Sequence, residues 1–386
     1  MSDTNKLDVL VFGATGYTGE LVCEYLHNTY GDHGALRWGM AGRNRAKLEA
    51  VRDKLNIDAN IPLVLADSAD QASVDAMVSA TRVLLTTAGP YQQYGSTIVE
   101  ACARLGTDYV DLNGEPLWMK AMVEAHDSTA RASGARIVFS CGFDSLPSDL
   151  GVQFLQEQAI EKLGAPLPRV KCRVKAMRGA ASGGTVASFT ATMAAVQDNP
   201  ALLADLTNSF ALTGDFQGPE QPPANEKIFE EDLNSWSGQF VMATINTKNV
   251  HRSNYLLDHA FGQDLVYDEM VLLGETLPEE GADGNDFGFD MSLQPGEGPS
   301  AKDREEGFYN ILFIGSNPKG DSLTVEVVGD RDPGYGSTSK MIAEAAICLA
   351  ELPKAKGGCL TGASAMGSAL RERLHNNAGV TFTLVD

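Results

Sequence analysis

The chain has 386 residues, 43% of them hydrophobic and 21% charged, which suits two globular domains, or three, and excludes global disorder. Its net charge of −21 repels phosphate backbones at long range and disfavours nucleic acid as a partner. Six cysteines without a CxxC pair exclude a small disulfide-stapled fold and point to reduced, buried thiols.

Residues 7–13 form a short apolar run that ends in glycine, and a helical pattern follows over 17–29. Strands are expected at 36–41, 61–66, 82–87, 109–112 and 135–140. Helices are expected at 45–55, 70–79, 95–105 and 116–132. This alternation is the mark of a doubly wound α/β domain with a parallel sheet covered on both faces. After residue 165 the rhythm fades. Residues 169–178 alternate with period two, as a half-exposed strand does. Residues 185–212 read as helix, broken at Asn199-Pro200. Two loop-like stretches, 214–226 and 278–307, flank a strand at 264–273. Strands at 308–316 and 322–329 follow. An amphipathic helix at 336–351 leads through a Gly-rich turn to a short helix near 364–375 and a last strand at 380–385.

The expected fold class is α/β, a Rossmann domain over 1–165 with a second, mixed α+β domain over 166–335. That second domain would carry a mixed or antiparallel sheet. Residues 336–386 are expected to pack back on the first domain. The N-terminus is polar and lacks the apolar core of a signal peptide. No apolar run reaches the length of about 18 that a membrane helix needs. A cytoplasmic location is expected. Peripheral membrane contact and assembly into a homo-oligomer stay open.

The strongest local signal is GATGYTG, Gly13 to Gly19, at the first strand–helix junction. Gly13 allows the tight turn, Gly16 the approach of a pyrophosphate, and Gly19 the close packing of helix on sheet. Thr15, Tyr17 and Thr18 fill the rest of this phosphate-binding turn. The helix N-terminus offers open N–H groups to the phosphates. The second strand ends Ala41-Gly42-Arg43-Asn44. It carries no acid of the kind that accepts from the ribose hydroxyl of NAD. A guanidinium there suits a 2′-phosphate, so NADP(H) is the expected cofactor, with Arg43 its main contact and Asn44 beside it. Asp67, after the third strand, either meets the adenine edge or caps a helix, as Ser68 also could. Ala88, Gly89 and Pro90 follow the fourth strand and should line the cofactor crevice.

Tyr91 reads as a general acid or a nicotinamide wall, with turn packing a comparable alternative. Glu115 and Asp144 lie in loops facing the same crevice. Either could orient substrate or relay protons, although capping of the next helix is the stronger reading of Asp144. His251 and Tyr335 are further proton-donor candidates, weighed against packing for the histidine and a turn role for the tyrosine. The six histidines show no metal-ligand spacing and no HExxH, so no metal is expected. There is no GxSxG for a serine hydrolase.

GATGYTG, AGRN (41–44), AGPY (88–91), NGEP (113–116) and CGFDSLPSD (141–149) together resemble the saccharopine dehydrogenase-like oxidoreductases. GGTVAS (183–188), NVHRSN (249–254), PGEGPS (295–300), DPGY (332–335) and TGASAMG (361–367) extend the likeness over nearly the whole chain. The nearest branch is the bacterial trans-acting enoyl reductases. The resemblance implies an NADPH-dependent reductase of a C=C bond in a lipophilic, polyketide-type acyl substrate. The loops 214–226 and 278–294 look less family-like and are expected to shape the substrate pocket. Two other readings remain. One is C–N chemistry on an amino-acid-like substrate held by converging arginines, from Arg169, Arg173, Arg178, Arg252 and Arg331. The other is a non-catalytic NADP- or lipid-binding protein. The small-residue helix Val186–Val196 and the apolar run Phe308–Ile314 lean toward a greasy site.

Overall fold

The structure is a computed structural model that describes residues 6–385, apart from 33, 181–182, 224–225, 278–285, 289–291 and 293–295. Its first half alternates β1 (Leu7–Phe12), α1 (Tyr17–Tyr30), β2 (Trp38–Gly42), α2 (Arg45–Lys54), β3 (Leu63–Leu65), α3 (Gln71–Ser79) and β4 (Thr81–Thr86). Then come α4 (Tyr91–Tyr94), α5 (Ser96–Leu105), β5 (Asp108–Val110), α6 (Pro116–Ser133), β6 (Arg136–Val138) and α7 (Leu146–Leu163). The strands form one parallel sheet in the order β3-β2-β1-β4-β5-β6, the order of a dinucleotide-binding domain.

The sequence of β1 explains why both faces of this sheet are covered. Val9 and Val11 point into one apolar cluster, Leu10 and Phe12 into another, and all four are buried. Local chemistry sets the helix ends. The Asn44 side chain accepts from the Lys47 N–H and starts α2. The cap of α3 is Asp70, whose side chain accepts from Ala72, rather than Asp67 or Ser68. Gly106 and Gly134 take left-handed backbone to end α5 and α6.

The second half begins with β7 (Arg169–Ala180), α8 (Gly183–Asp198), α9 (Leu202–Thr207), β8 (Ile228–Glu230), β9 (Ser235–Gln239) and α10 (Ala243–Leu256). It continues with β10 (Val266–Gly274), β11 (Asp286–Gly288), α11 (Ala301–Glu306), β12 (Phe308–Ser316) and β13 (Ser322–Gly329). Its sheet is mixed, in the order β15-β13-β12-β7-β10-β9-β8, where β15 (Val380–Val385) comes from the end of the chain. β7 and β10 run parallel, β11 also pairs with β7, and the other neighbours are antiparallel. Arg173 pins its middle from a buried position, paired with Glu230 and Asp268. α10 has no forerunner in the sequence reading, because its polar residues Asn246, Lys248, Asn249 and Asn254 are buried and blur the helical pattern.

A π-helical turn at Pro333–Ser337 opens α12 (Thr338–Glu351). The end of the chain holds β14 (Gly358–Leu360), α13 (Gly362–Ala365), α14 (Gly367–Arg373) and β15 (Val380–Val385). α12 is buried along nearly its whole length and lies against α1, β1, β4 and β5. β14, in the stretch read as a turn, adds a seventh parallel strand beside β6. β15 pairs with β13 in the second sheet, so the last residues tie the two sheets together. No described helix is long and apolar enough to cross a membrane.

Candidate active site

A cavity of about 570 Å³ opens at the carboxyl ends of the neighbouring strands β1 and β4, where the strand order reverses, and the second domain closes its other side. This is the switch point at which open α/β sheets bind their ligands. Gly13, Thr15, Gly16, Tyr17 and Thr18 line one end. Gly13 has φ +86°, and a Cβ on it would lie 2.9 Å from Thr87 Oγ1. A Cβ on Gly19 would sit 2.1 Å from the Gly13 carbonyl oxygen, so only glycine lets α1 rest on this turn. Gly16 is the N-cap of α1 and no side chain caps it, which leaves the helix N-terminus open to an anion.

Arg43 stands exposed at the rim and makes no hydrogen bond or ion pair with a described residue. Neighbouring Arg45 faces Glu49 at 3.7 Å. The glycine cradle, the uncapped helix and the uncommitted guanidinium together fit NADP: pyrophosphate on the helix, 2′-phosphate on Arg43. Ala88 and Gly89 also line the cavity, while Gly19, Asn44 and Pro90 are not among its lining residues. Asp67 is exposed, binds the Ala69 N–H within its own turn at 3.0 Å, and does not reach the cavity.

Tyr91 presents its ring to the cavity, but its hydroxyl is turned into the protein. It donates to the Thr86 carbonyl at 3.1 Å and accepts from the Leu112 N–H at 3.1 Å. Burial, with Asp111 close by, pushes its pKa well up. The geometry gives Tyr91 the place of a wall and leaves its proton locked away. Glu115 is buried and accepts from the Tyr91 and Gln92 N–H groups and from Ser188 Oγ of α8, which fastens the two domains beside the site.

Asp144 does face the cavity. Its loop is held by the Phe143 N–H on Thr338 Oγ1 at 2.9 Å and the Ser145 N–H on the Ser140 carbonyl at 2.9 Å. Burial first, then the Glu269 carboxyl, raises its pKa to about 7. A carboxyl poised there can hold and give a proton near neutrality. Tyr335 also lines the cavity. Its hydroxyl meets Thr185 Oγ1 at 2.7 Å, and its ring packs edge-on against Tyr17 with centroids 5.2 Å apart.

His251 is not brought to the cavity. It is buried against Phe210, with Nε2 3.2 Å from Gln221 Oε1. Burial, with Lys248 nearby, lowers its pKa to about 3, so the ring is neutral and has no acidic proton to give. Adjacent Arg252 spends its guanidinium on the carbonyls of Leu212 and Cys359. The described part of 214–226 lies away from the cavity, and most of 278–294 lies outside the described residues. The far wall comes instead from α8, α9 and the start of α10: Phe189, Met193, Leu206, Val241, Met242 and Ile245. Of these, the sequence reading gave only Val186–Val196, in α8, an apolar role; α9 fell within its helical stretch 185–212 without one. Phe308–Ile314 belongs to β12 and does not line the cavity.

Residues 9–138 match the family described as saccharopine dehydrogenase NADP binding domain. A trans-acting enoyl reductase of Mycobacterium ulcerans (strain Agy99) is 33% identical over 408 residues, covering 97% of this chain and 96% of its own. The trans-acting enoyl reductase of Mycobacterium tuberculosis (strain ATCC 25618 / H37Rv) is 33% identical over 414 residues, covering 98% and 97%. In fold, the apo saccharopine dehydrogenase (L-Glu forming) of Saccharomyces cerevisiae superposes with TM-score 0.55 at 10% identity, over 98% of this chain and 99% of that one. With these matches beside the glycine cradle at the head of its cavity, this chain belongs to the trans-acting enoyl reductase branch of the saccharopine dehydrogenase-like proteins and is an NADP-dependent oxidoreductase.

Proposed function

We propose that this protein uses NADPH to reduce the carbon–carbon double bond of an unsaturated, lipophilic acyl substrate. The observation that carries the reading is the contrast between the two ends of the cavity. One end is the nucleotide turn with Arg43. The other is an apolar mouth where Phe189, Met193 and Val241 are 44%, 47% and 46% exposed. α8 spans 16 residues with Asp198 its only charged side chain, an unusual surface unless an apolar ligand covers it.

The five arginines that would hold an amino acid are engaged elsewhere. Arg169 and Arg173 pair with Asp268, Arg178 with Glu306, and Arg252 and Arg331 bind backbone carbonyls. Arg43 is the one cation among the described lining residues, and it sits at the nucleotide end. This favours the enoyl reading over C–N chemistry.

When bound, NADPH supplies a hydride to the β-carbon of the acyl group. The electron pair of the double bond then moves toward the acyl carbonyl, and a proton must reach the α-carbon. Thr185 and Tyr335 offer hydroxyls to the enolate oxygen. Asp144 gives the proton: its O–H bond breaks, a C–H bond forms, and the carboxylate takes a new proton from water. The apolar walls exclude water while this happens. All six cysteines are free and buried, which suits a reducing, cytoplasmic setting.

The test is NADPH oxidation with enoyl thioesters of increasing chain length, beside amino acid and oxo-acid pairs. Turnover of enoyl thioesters supports the reading. Turnover only with the amino-acid pairs, or NADPH binding with no turnover of any substrate, overturns it.

A further inference from the structure

We propose that Arg304, on α11 of the second domain, is a further cofactor-binding residue, whose guanidinium joins the open N-terminus of α1 in holding the pyrophosphate of NADP(H). The inference rests on the cofactor and not on the acyl substrate proposed above.

The second domain reaches the glycine turn through residues 296–304, and Tyr17, the first residue of α1, meets them there. The Tyr17 hydroxyl donates to the Pro299 carbonyl and accepts from Arg304 Nη1 at 2.8 Å. Nη1 also donates to the Pro299 carbonyl at 2.8 Å. The guanidinium carbon lies 5.7 Å from the centroid of the Tyr17 ring. A Cβ on Gly298 would fall 2.6 Å from the same ring, closer than packing allows, so glycine lets the chain cross at this point. Both ends of the crossing are fastened to the second domain. The Gly183 N–H, at the start of α8, donates to the Glu297 carbonyl at 3.2 Å, and the Asp332 N–H donates to the Arg304 carbonyl at 3.0 Å. Between them a capping box of Ser300 and Asp303 starts α11. Arg304 is thus held in place from both domains.

Beside the crossing lies a second, smaller cavity of about 270 Å³. Thr15, Gly16, Tyr17 and Gly296 line both cavities, so the two adjoin at the nucleotide turn. Arg304 and Lys54 bring cations to the smaller one. Lys54 is paired with Glu20. Arg304, half-buried, forms no ion pair with a described residue, and its Nε and Nη2 donate to none of them. The carboxylates near it are committed: Asp303 to the Ser300 cap, Asp332 to the N–H groups of its own turn, and Glu306 to Arg178 and Lys302.

In a chain of net charge −21, a guanidinium without a carboxylate beside a phosphate-binding turn points to an anion. NADP(H) carries two anionic groups. Arg43, at the end of β2, suits the 2′-phosphate. The pyrophosphate belongs at Gly16 and the N-terminus of α1. Gly16, the uncapped N-cap, and Arg304 line the same small cavity, so helix and guanidinium act on one anion. The two arginines therefore divide the cofactor between them. Arg43 reads the phosphate that separates NADP from NAD, and Arg304 serves the part that both share.

The experiment is a fluorescence titration of the full chain with NADPH and with NADH, using adenosine 2′-phosphate, which has no pyrophosphate, as a competitor of NADPH. R304Q keeps a hydrogen-bond donor toward Tyr17 and Pro299 while removing the charge, and a thermal melt without ligand shows that it is folded. R304Q should weaken NADPH and NADH alike, by about 10-fold or more, because both carry the pyrophosphate. Adenosine 2′-phosphate should bind R304Q as it binds the wild type. R304K keeps the charge and should lose less than R304Q. Unchanged NADPH affinity in a folded R304Q overturns the proposal. An equal loss for adenosine 2′-phosphate overturns it too, since the effect would then not belong to the pyrophosphate. An R304K as weak as R304Q also overturns it, since the bonds to Tyr17 and Pro299, and not the charge, would then carry the effect. No acyl substrate enters these titrations, so they stand apart from the outcome of the enoyl assay.

Discussion

The Tyr335 hydroxyl lies 2.7 Å from Thr185 Oγ1, so the turn that opens α12 and the first turn of α8 meet at the cavity wall. Asp332 fixes that turn by accepting from the N–H groups of Gly334, Tyr335 and Gly336 at 3.1, 3.0 and 2.7 Å. Y335F keeps the ring on Tyr17 and removes the hydroxyl. If the hydroxyl steadies a developing enolate oxygen, kcat should fall about 100-fold while NADPH affinity changes only a few-fold. Steady-state kinetics beside a cofactor titration reads both. A hydroxyl that merely braces the turn would leave kcat nearly intact.

Arg43 has no partner to lose among the described residues, so R43A should leave the fold untouched. The cost should fall on the 2′-phosphate alone. A charged hydrogen-bonding contact is worth about 1.5–3 kcal/mol, so NADPH affinity should drop about 10–100-fold. NADH affinity should not change. Fluorescence titration with both cofactors decides the matter. Equal weakening of the two would place Arg43 outside the 2′-phosphate site.

As the proposed proton donor, Asp144 links activity to stability. Its folded pKa of about 7 lies above its unfolded value of 3.8, so the native state binds the extra proton. Its favourable contribution is complete below about pH 4 and is lost as pH rises through 7. Asp111 and Asp149, each held at about 6 by burial, act in the same direction. D144N carries no charge to bury. At pH 8 it should be the more stable protein by about 1–2 kcal/mol, a value reduced because cavity water screens the group. Near pH 4 the difference should vanish. The same variant should lose about 100- to 10,000-fold in kcat. Thermal melts at the two pH values test the sign, and a D144N less stable at pH 8 would contradict it.

The nucleotide half of the site was legible because backbone sterics dictate it. Gly13 and Gly19 are positions where any Cβ would strike the protein, and such positions leave a spacing that can be read directly. The absence of an acid after β2 was equally plain. The half proposed for catalysis was harder to read because its side chains come from separate elements. Asp144 follows β6, Thr185 opens α8 and Tyr335 precedes α12. His251 drew attention as a histidine beside an arginine. Yet α10 turns it toward Phe210 and Tyr267, and it serves packing. β14 was hidden by its length, three residues in a Gly-rich stretch, and only its pairing with β6 makes it a strand.

The apolar mouth should set preference for chain length. Phe189 and Met193 lie one turn apart on α8, both lining the cavity and both more than a third exposed. Serine at both positions removes apolar contact where a long acyl tail would leave the cavity. The inner cavity, with Asp144 and Tyr335, is untouched. Short enoyl substrates should therefore keep their kcat/KM in F189S/M193S. Long ones should lose about 10-fold or more through KM, since each buried methylene contributes about 0.8 kcal/mol. A series of enoyl thioesters of increasing length, assayed on wild type and variant, gives the comparison. Parallel loss at every length would show that α8 shapes the cavity as a whole and that the tail leaves by another route.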